Sequence, residues 1–521
     1  MIVIRTGELT PESIEALPKE HAYWIYNGLD CMLTAEIAEV LLPKVEADAD
    51  AKRTYQFERA LQGPFMEMML RGFAMDMGWR ADLLSELERR ATAMEELLNE
   101  YAQALWEKGL NAHSPKQLMA LFYDYMKLPV QFVRKKGVKS PTTNDDAIEA
   151  LMAYFNAKPL CQCIMKIRRL WKLHGALNSG VDNDNRMRAS FNIAGTETGR
   201  ASSNKNAFGT GTNFQNITAD IRRAFIPTRG YKMGGFDLAQ AESRLAGLSA
   251  WLASGKDAYL LACESGDLHT AVTKMVRPNL QWTGSAKGDK AVADTKVPGD
   301  PSGKTFRDYS KNIGHGTNYL SKGFTLHQIT GIPLKEIQTF QEKYFESFPE
   351  IPEWHQSVAT SLQQNSYLVT VFGRKRYFFE RLGDDSTVRK GVAFGPQSAI
   401  AEYINLGIYL CWSSARLRTL GFRIIAQVHD ALYFEYPPEV EKEVLDLVAA
   451  FLSPKLRVGG RLFSIPCDAK VGWNWGPVQY DKKKDEVINP YGLKAWNGIA
   501  DNRVYTAKEQ TGFNLLDRRV R

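Results

Sequence analysis

Phe236-Asp237-Leu238-Ala239-Gln240-Ala241-Glu242-Ser243-Arg244 sets an aspartate at the end of a short apolar run and just ahead of a helix-like pattern. A second aspartate has a matching context in Gln427-Val428-His429-Asp430-Ala431-Leu432-Tyr433-Phe434-Glu435. Apolar-rich runs flank it, Phe422 to Val428 and Ala431 to Phe434, so Asp430 is expected at the tight turn of a hairpin. Neighbouring strands would place Asp237 and Asp430 around one pair of divalent cations. Two metals about 3.5–4 Å apart activate an attacking oxygen and stabilise a leaving one. The plain alternative for Asp237 is a helix cap, since Leu238 to Leu248 has a helical pattern; capping does not exclude metal binding.

Between these stretches, Arg307, Lys311, His315 and Tyr319 recur every four residues. Each step of four turns the helix face by about 40°, so all four are expected on one side of a helix. A solvated stripe would explain Arg307 and Lys311 alone. An aromatic continuation on the same face is less expected of such a stripe.

In order, the three segments resemble motifs A, B and C of the family A DNA polymerases, the polymerase I type. The resemblance implies an α+β, right-hand fold with an antiparallel-sheet palm, helical fingers and a helical thumb. It assigns residues 57–185 to the thumb, 186–260 and 380–475 to the palm, and 261–379 to the fingers. It implies template-directed addition of dNTPs to a primer 3′ end in DNA replication, on primer–template DNA. The cofactor implied is Mg²⁺, two ions with Mn²⁺ able to substitute, held by Asp237 and Asp430; hard oxygen ligands suit it. Arg307, Lys311 and His269 (in Asp267-Leu268-His269-Thr270) would face the triphosphate. Lys311 would also act as general acid toward pyrophosphate. Glu242 would be the steric gate beneath the incoming sugar, with Gln240 beside it, His315 against the sugar and Tyr319 at the templating base.

Smaller matches follow the same order. Thr198-Gly199-Arg200-Ala201-Ser202-Ser203 and Asn213-Phe214-Gln215-Asn216-Ile217 resemble the segment that grips primer and template. Arg389 to Gln397 resembles the segment that contacts the minor groove, where acceptors are nearly common to all base pairs. The resemblance implies a DNA-binding set of Arg200, Asn213, Gln215, Asn216, Arg389 and Gln397, with His429 beside Asp430 added to it. Ser114-Pro115-Lys116-Gln117-Leu118 resembles part of the thumb, with Ser114 an N-cap and Pro115 at the first helical position. The chain departs from the family in four places: His315 for Phe or Tyr, Leu320 for Gly, Ala393 for Asn and Ala431 for Glu.

Tyr26-Asn27-Gly28-Leu29-Asp30 resembles only the last motif of the family's proofreading domain. Residues 1–56 are therefore expected to be a helical remnant of the 3′–5′ exonuclease domain, without that activity. A separately encoded exonuclease or a processivity factor is an expected partner, and the chain is otherwise expected to be a monomer. Such compact chains look most like bacteriophage members of the family. Residues 476–521 are expected to be a C-terminal extension of unassigned role, with a lysine run at 482–484.

Composition agrees with this reading without requiring it. With 521 residues, 44% hydrophobic and 24% charged, several packed units are expected. A net charge of +7 suits a phosphate-rich partner. The six cysteines are scattered, as for reduced thiols in a cytoplasmic protein, or in the host cytoplasm for a phage member. No signal peptide and no membrane span is expected. A long amphipathic helix is expected over 83–108, a break near Gly72, a basic loop over Val133 to Thr143, and a surface insertion over 282–304. Two other readings stay open. A single-subunit RNA polymerase would share the aspartates and the cationic helix, but Glu242 as a sugar gate argues against it. A non-catalytic DNA-binding replication accessory protein would not need both aspartates.

Overall fold

The computed structural model describes residues 10–135, 138–206, 208–298, 304–481 and 486–498. Lys136 and the lysine run at 482–484 lie outside them. Near the N-terminus, α1 (Lys19–Ala47) buries none of its residues. Next, α2 (Ala49–Arg71) begins at Asp48, whose Oδ1 accepts the amides of Asp50 and Ala51 at 3.0 and 3.1 Å. It ends at Gly72, where φ is 58°. A Cβ there would meet the Met187 carbonyl oxygen at 2.4 Å, so the break needs glycine.

Three apolar cores organise the molecule. The long helix α3 (Met77–Trp106) starts at Asp76, which accepts the Trp79 amide at 3.0 Å. Its buried stripe, Leu87, Ala91, Leu98 and Ala102, keeps helical spacing. Leu98 and Ala102 enter a helical core with Leu118, Phe122 and Ile148, together with Ile164 and Ile167 of α4 (Lys158–Leu177). The other ends of α3 and α4, through Leu87 and Leu173, reach the central core instead. One helix pair thus spans two cores. The basic loop expected at 133–143 is in part a hairpin, Phe132–Lys135 paired antiparallel with Val138–Pro141.

The central core packs on a five-stranded sheet containing β1 (Lys232–Leu238). Beyond β1 come α5 (Ala241–Ser254), α6 (Leu268–Val276), α7 (Phe306–Asn318), α8 (Glu350–Asn365) and α9 (Asp385–Ser413). The chain then re-enters the sheet with β2 (Arg423–Val428) and β3 (Ala431–Tyr436), and crosses through α10 (Glu441–Leu452) to β4 (Cys467–Gly472). The final strand is β5 (Lys494–Ala495), and the spatial order is β2-β3-β1-β4-β5, antiparallel throughout. The segment after 476, expected as an extension, thus supplies a strand of the central sheet.

Phe236 of β1 and Phe434 of β3 share one buried core with Leu245 of α5, Ile404 of α9 and Val448 of α10. Gly234 lets the Phe434 ring lie on the β1 backbone, since a Cβ there would meet the ring at 2.4 Å. Beneath the sheet, buried Lys232 and Glu441 pair at 2.6 Å and tie β1 to α10. The third core gathers Val272 of α6, Ile313 of α7 and Trp354 of α8. Opposite faces of α5 serve two cores: Leu245 and Leu248 face the sheet, and Ala246 and Ala250 face the helices. That double use fixes α7 relative to the carboxylate end of β1.

The region expected as an insertion holds a short helix, Ala286–Ala293, docked by an ion pair from Asp289 to Lys274 of α6. All six cysteines are free thiols, as expected. Among the described residues, no helix is long and apolar enough to cross a membrane.

Candidate active site

Asp237 and Asp430 meet at the same end of two paired strands. β1 and β3 are in register with Ala431 opposite Asp237, and the Leu238 amide donates to the Asp430 carbonyl at 3.2 Å. Asp237 belongs to β1 and is not a cap; the residue preceding α5 is Gln240. Both faces of β1 are covered, since the other six residues of the strand are buried, and Asp237, next to the strand's last residue, is the one that is exposed. Asp430 follows His429 in a two-residue turn between Val428 and Ala431, as the flanking apolar runs imply.

Surrounding protein and the negative charge of Asp430 push the Asp237 carboxyl up to about 6, opposed by Lys470 and reinforced by Asp468. Asp468 sits directly opposite Asp237 in the β1–β4 register, so a third carboxylate borders the pair. Sequence reading missed it. Its signal was weak: a lone aspartate in a short strand whose pairing partner is more than 200 residues away.

The expected cationic face is present on α7. A capping box opens the helix: the Thr305 hydroxyl accepts the Asp308 amide at 3.1 Å, and Asp308 Oδ2 accepts the Thr305 amide at 2.9 Å. Arg307 is about three-quarters buried and forked onto Asp267, while Lys311 is exposed. His315 Nδ1 lies 3.8 Å from Glu242 Oε2. Tyr319 departs from the expectation, because the helix ends at Asn318 and Tyr319 is its C-cap. Leu320 follows at φ 57°, a left-handed conformation that ends the helix. The buried Tyr319 hydroxyl lies beside Glu242 and is held well above the usual phenol range by burial and by that carboxylate.

His269, on α6, completes this wall with its ring centroid 5.5 Å from that of His315. Burial lowers its pKa to about 4, with the nearby charges of Arg307 and Lys311, and of His315 when that ring is protonated, adding to the shift. Burial likewise lowers the His315 pKa, against the pull of Glu242. Both imidazoles are therefore neutral near pH 7. The wall contacts the motif around β1 through Glu242, five residues beyond Asp237.

Arg200 is exposed, with its charge acting on Tyr319. Asn213 and Gln215 are engaged in structure: Asn213 Oδ1 accepts the Gln215 amide at 2.9 Å and the Ser203 hydroxyl at 2.7 Å. Gln215 Nε2 donates to the Ala201 carbonyl at 2.8 Å and to Gln427 Oε1 at 3.3 Å, just before the Asp430 turn. Asn216 is exposed. Arg389 and Gln397 are half-buried, two turns apart on α9. Gln240 buries its Oε1 without a hydrogen-bond partner. Tyr26 and Asp30 are exposed on α1.

The donor set fits a hard divalent cation. Two oxygen-bearing side chains converge, and their mutual repulsion favours a cation between them. Among the described residues, no cluster of three or more His, Cys, Asp or Glu side chains has the geometry of a metal cage. Water and substrate oxygens would complete the coordination, as suits Mg²⁺.

An antiparallel sheet with two carboxylates at adjoining strand ends, walled by a cationic helix, defines an α+β, palm-centred polymerase fold. A sequence profile described as DNA polymerase family A matches residues 81–477, and the chain belongs to that family. It is 26% identical over 462 residues to "DNA polymerase I, thermostable" of Thermus caldophilus, covering 85% of this chain and 50% of that protein. It is 26% identical over 489 residues to "DNA polymerase I" of Bacillus subtilis, covering 90% of this chain and 50% of that protein. The chain thus spans about half the length of these curated relatives. A solved structure described as the "POL domain of Pol1 from M. smegmatis complex with DNA primer-template and dNTP" matches in fold with a TM-score of 0.68. That match has 24% identity and covers 85% of this chain and 74% of that one.

Proposed function

We propose that this chain is a template-directed DNA polymerase that extends a primer 3′ end with dNTPs in DNA replication. The observation that carries the reading is the meeting of Asp237 and Asp430 beside a wall formed by Arg307, Lys311, His315 and His269. Asp237 and Asp430 hold the divalent cations, which when bound lower the pKa of an attacking hydroxyl and offset charge on phosphate oxygens. Arg307 and Lys311 neutralise the triphosphate, and Lys311 is placed to give a proton to pyrophosphate as it leaves. Glu242 occupies the space beneath the sugar, with His315 beside it, and so excludes a 2′-hydroxyl. Tyr319 borders the templating base; Arg200, Asn216 and His429 contact the nucleic-acid backbone, and Arg389 and Gln397 probe the minor groove.

On this reading the helical core is the thumb, the central sheet the palm and the third core the fingers. The test is extension of a primer on a defined template with dNTPs or rNTPs, for the wild type and Glu242→Ala. Strong preference for dNTPs that relaxes in Glu242→Ala supports the reading. Preference for rNTPs by the wild type would reassign the chain to RNA synthesis, and template binding without extension would make it an accessory protein.

We also infer that residues 1–56 supply no 3′–5′ exonuclease activity, because Tyr26 and Asp30 stand exposed on a helix that buries no residue. Metal-dependent shortening of a labelled primer, abolished by Asp30→Ala, would overturn this.

A further inference from the structure

Asp267 joins two helices of the cationic wall. It N-caps α6, accepting the Thr270 amide at 3.4 Å through Oδ1 and the Thr270 hydroxyl at 2.9 Å through Oδ2. The same carboxylate receives a fork from α7: Arg307 Nε donates to Oδ2 at 2.9 Å and Nη2 to Oδ1 at 2.7 Å. Both partners are about three-quarters buried, so solvent screens the pair only in part. Burial pushes the Asp267 carboxyl up, but the Arg307 fork and the Thr270 hydroxyl outweigh it and hold the group below its usual range.

A two-bond guanidinium–carboxylate pair fixes direction as well as distance. Two of the three guanidinium nitrogens are committed to Asp267, and Nη1 lies outside the fork. His269 is two residues beyond Asp267, in the first turn that Asp267 caps. One carboxylate therefore sets the orientation of a cation on α7 and of a neutral imidazole on α6.

We propose that Asp267 is a positioning residue for nucleotide binding, holding Arg307 and His269 in the arrangement that a nucleoside triphosphate meets. The proposal rests on the polymerase reading above. Without the fork, Arg307 has many rotamers, and ordering them must come out of the binding free energy. Asparagine at 267 would keep the cap but lose the charge and one acceptor, which separates the fork from the helix start.

The test uses the full chain with primer–template and Mg²⁺. Steady-state kinetics would be measured for the wild type, Asp267→Asn, Asp267→Glu, Arg307→Ala and the double variant Asp267→Asn/Arg307→Ala. Equilibrium dNTP binding to a complex with a dideoxy-terminated primer gives a second readout, and melting temperature reports folding. Asp267→Asn is expected to raise the dNTP KM and the dissociation constant by about tenfold, with kcat changed far less. Asp267→Glu, which restores the charge, recovers part of the loss. In the Arg307→Ala background, Asp267→Asn adds little, because the group that it positions is gone. An unchanged or lowered KM in a folded Asp267→Asn enzyme overturns the proposal, as do effects of the two substitutions that multiply in the double variant. If Asp267→Asn does not fold, a folded Asp267→Ser, which keeps the cap and removes the fork, decides, with a raised KM supporting the proposal and a wild-type KM overturning it. Failure of the wild type to extend the primer would instead defeat the polymerase reading.

Discussion

His429 and Gln240 hold positive φ angles of 56° and 52°, each beside a proposed metal-bearing aspartate or the start of α5. Non-glycine residues pay about 1–2 kcal/mol for that conformation, and such strain gathers where geometry is held for function. Leu320, at 57°, shows why the family usually has glycine there: the chain turns left-handed directly after Tyr319. The substitution was legible in the sequence, but the conformation it must adopt was not. The His269 pKa near 4, against an ordinary 6.5, gives a stability prediction. The unfolded chain takes up a proton first as pH falls, so stability is fully present above about 6.5 and is lost toward 4. The slope from this group is about 1.4 kcal/mol per pH unit within that window. Denaturant melts from pH 7 to 4 should show a shallower fall for His269→Gln; an identical fall would place the titration elsewhere. His315, proposed to lie against the sugar, stands where Phe or Tyr is usual, 3.8 Å from Glu242. His315→Phe is expected to change the ratio of dideoxy to deoxynucleotide incorporation, and identical ratios would contradict a sugar contact.

Elements were legible where a local rule specified them. Ser114 caps the helix beginning at Pro115, the Gly72 break is present, and the hairpin around Asp430 follows from apolar runs on both sides. Pairings between distant segments were not legible, because nothing local encodes them. Asp468 opposite Asp237 and the strand at Lys494–Ala495 are examples. The basic stretch at 133–143 read as a loop because its lysines and Gly137 hide a short antiparallel pair. The capping box at Thr305 leads into the turn that carries Arg307, so stability and binding are joined there. Thr305→Ala should cost about 1 kcal/mol. Chemical denaturation checks the cost, and dNTP KM should rise with it; a variant with wild-type values for both would detach the cap from the site.

Over the whole molecule, three cores share helices, so the carboxylates and the cationic wall are held by common supports. α5 contributes to two cores, and α9 does the same through Ile404 and Phe394. Ion pairs add lateral ties: Arg374 with Glu58 at 2.6 Å and Lys375 with Asp48 at 2.9 Å join the hairpin of Tyr367–Val369 and Lys375–Tyr377 to the N-terminal helices. The net charge of +7 leads to a salt prediction. Primer–template affinity should fall linearly on a log–log plot against salt, and a flat dependence would argue against phosphate contacts. On the proposed reading, Asp237 and Asp430 act together in phosphoryl transfer. Single-turnover extension of a primer with one correct dNTP and Mg²⁺, comparing the wild type with Asp237→Ala and Asp430→Ala, measures that joint role. Losing either carboxylate should remove several kcal/mol of transition-state stabilisation, on the order of a thousandfold in rate, with primer–template binding retained. Extension at the wild-type rate by either folded variant would rule out a joint catalytic role for the two carboxylates.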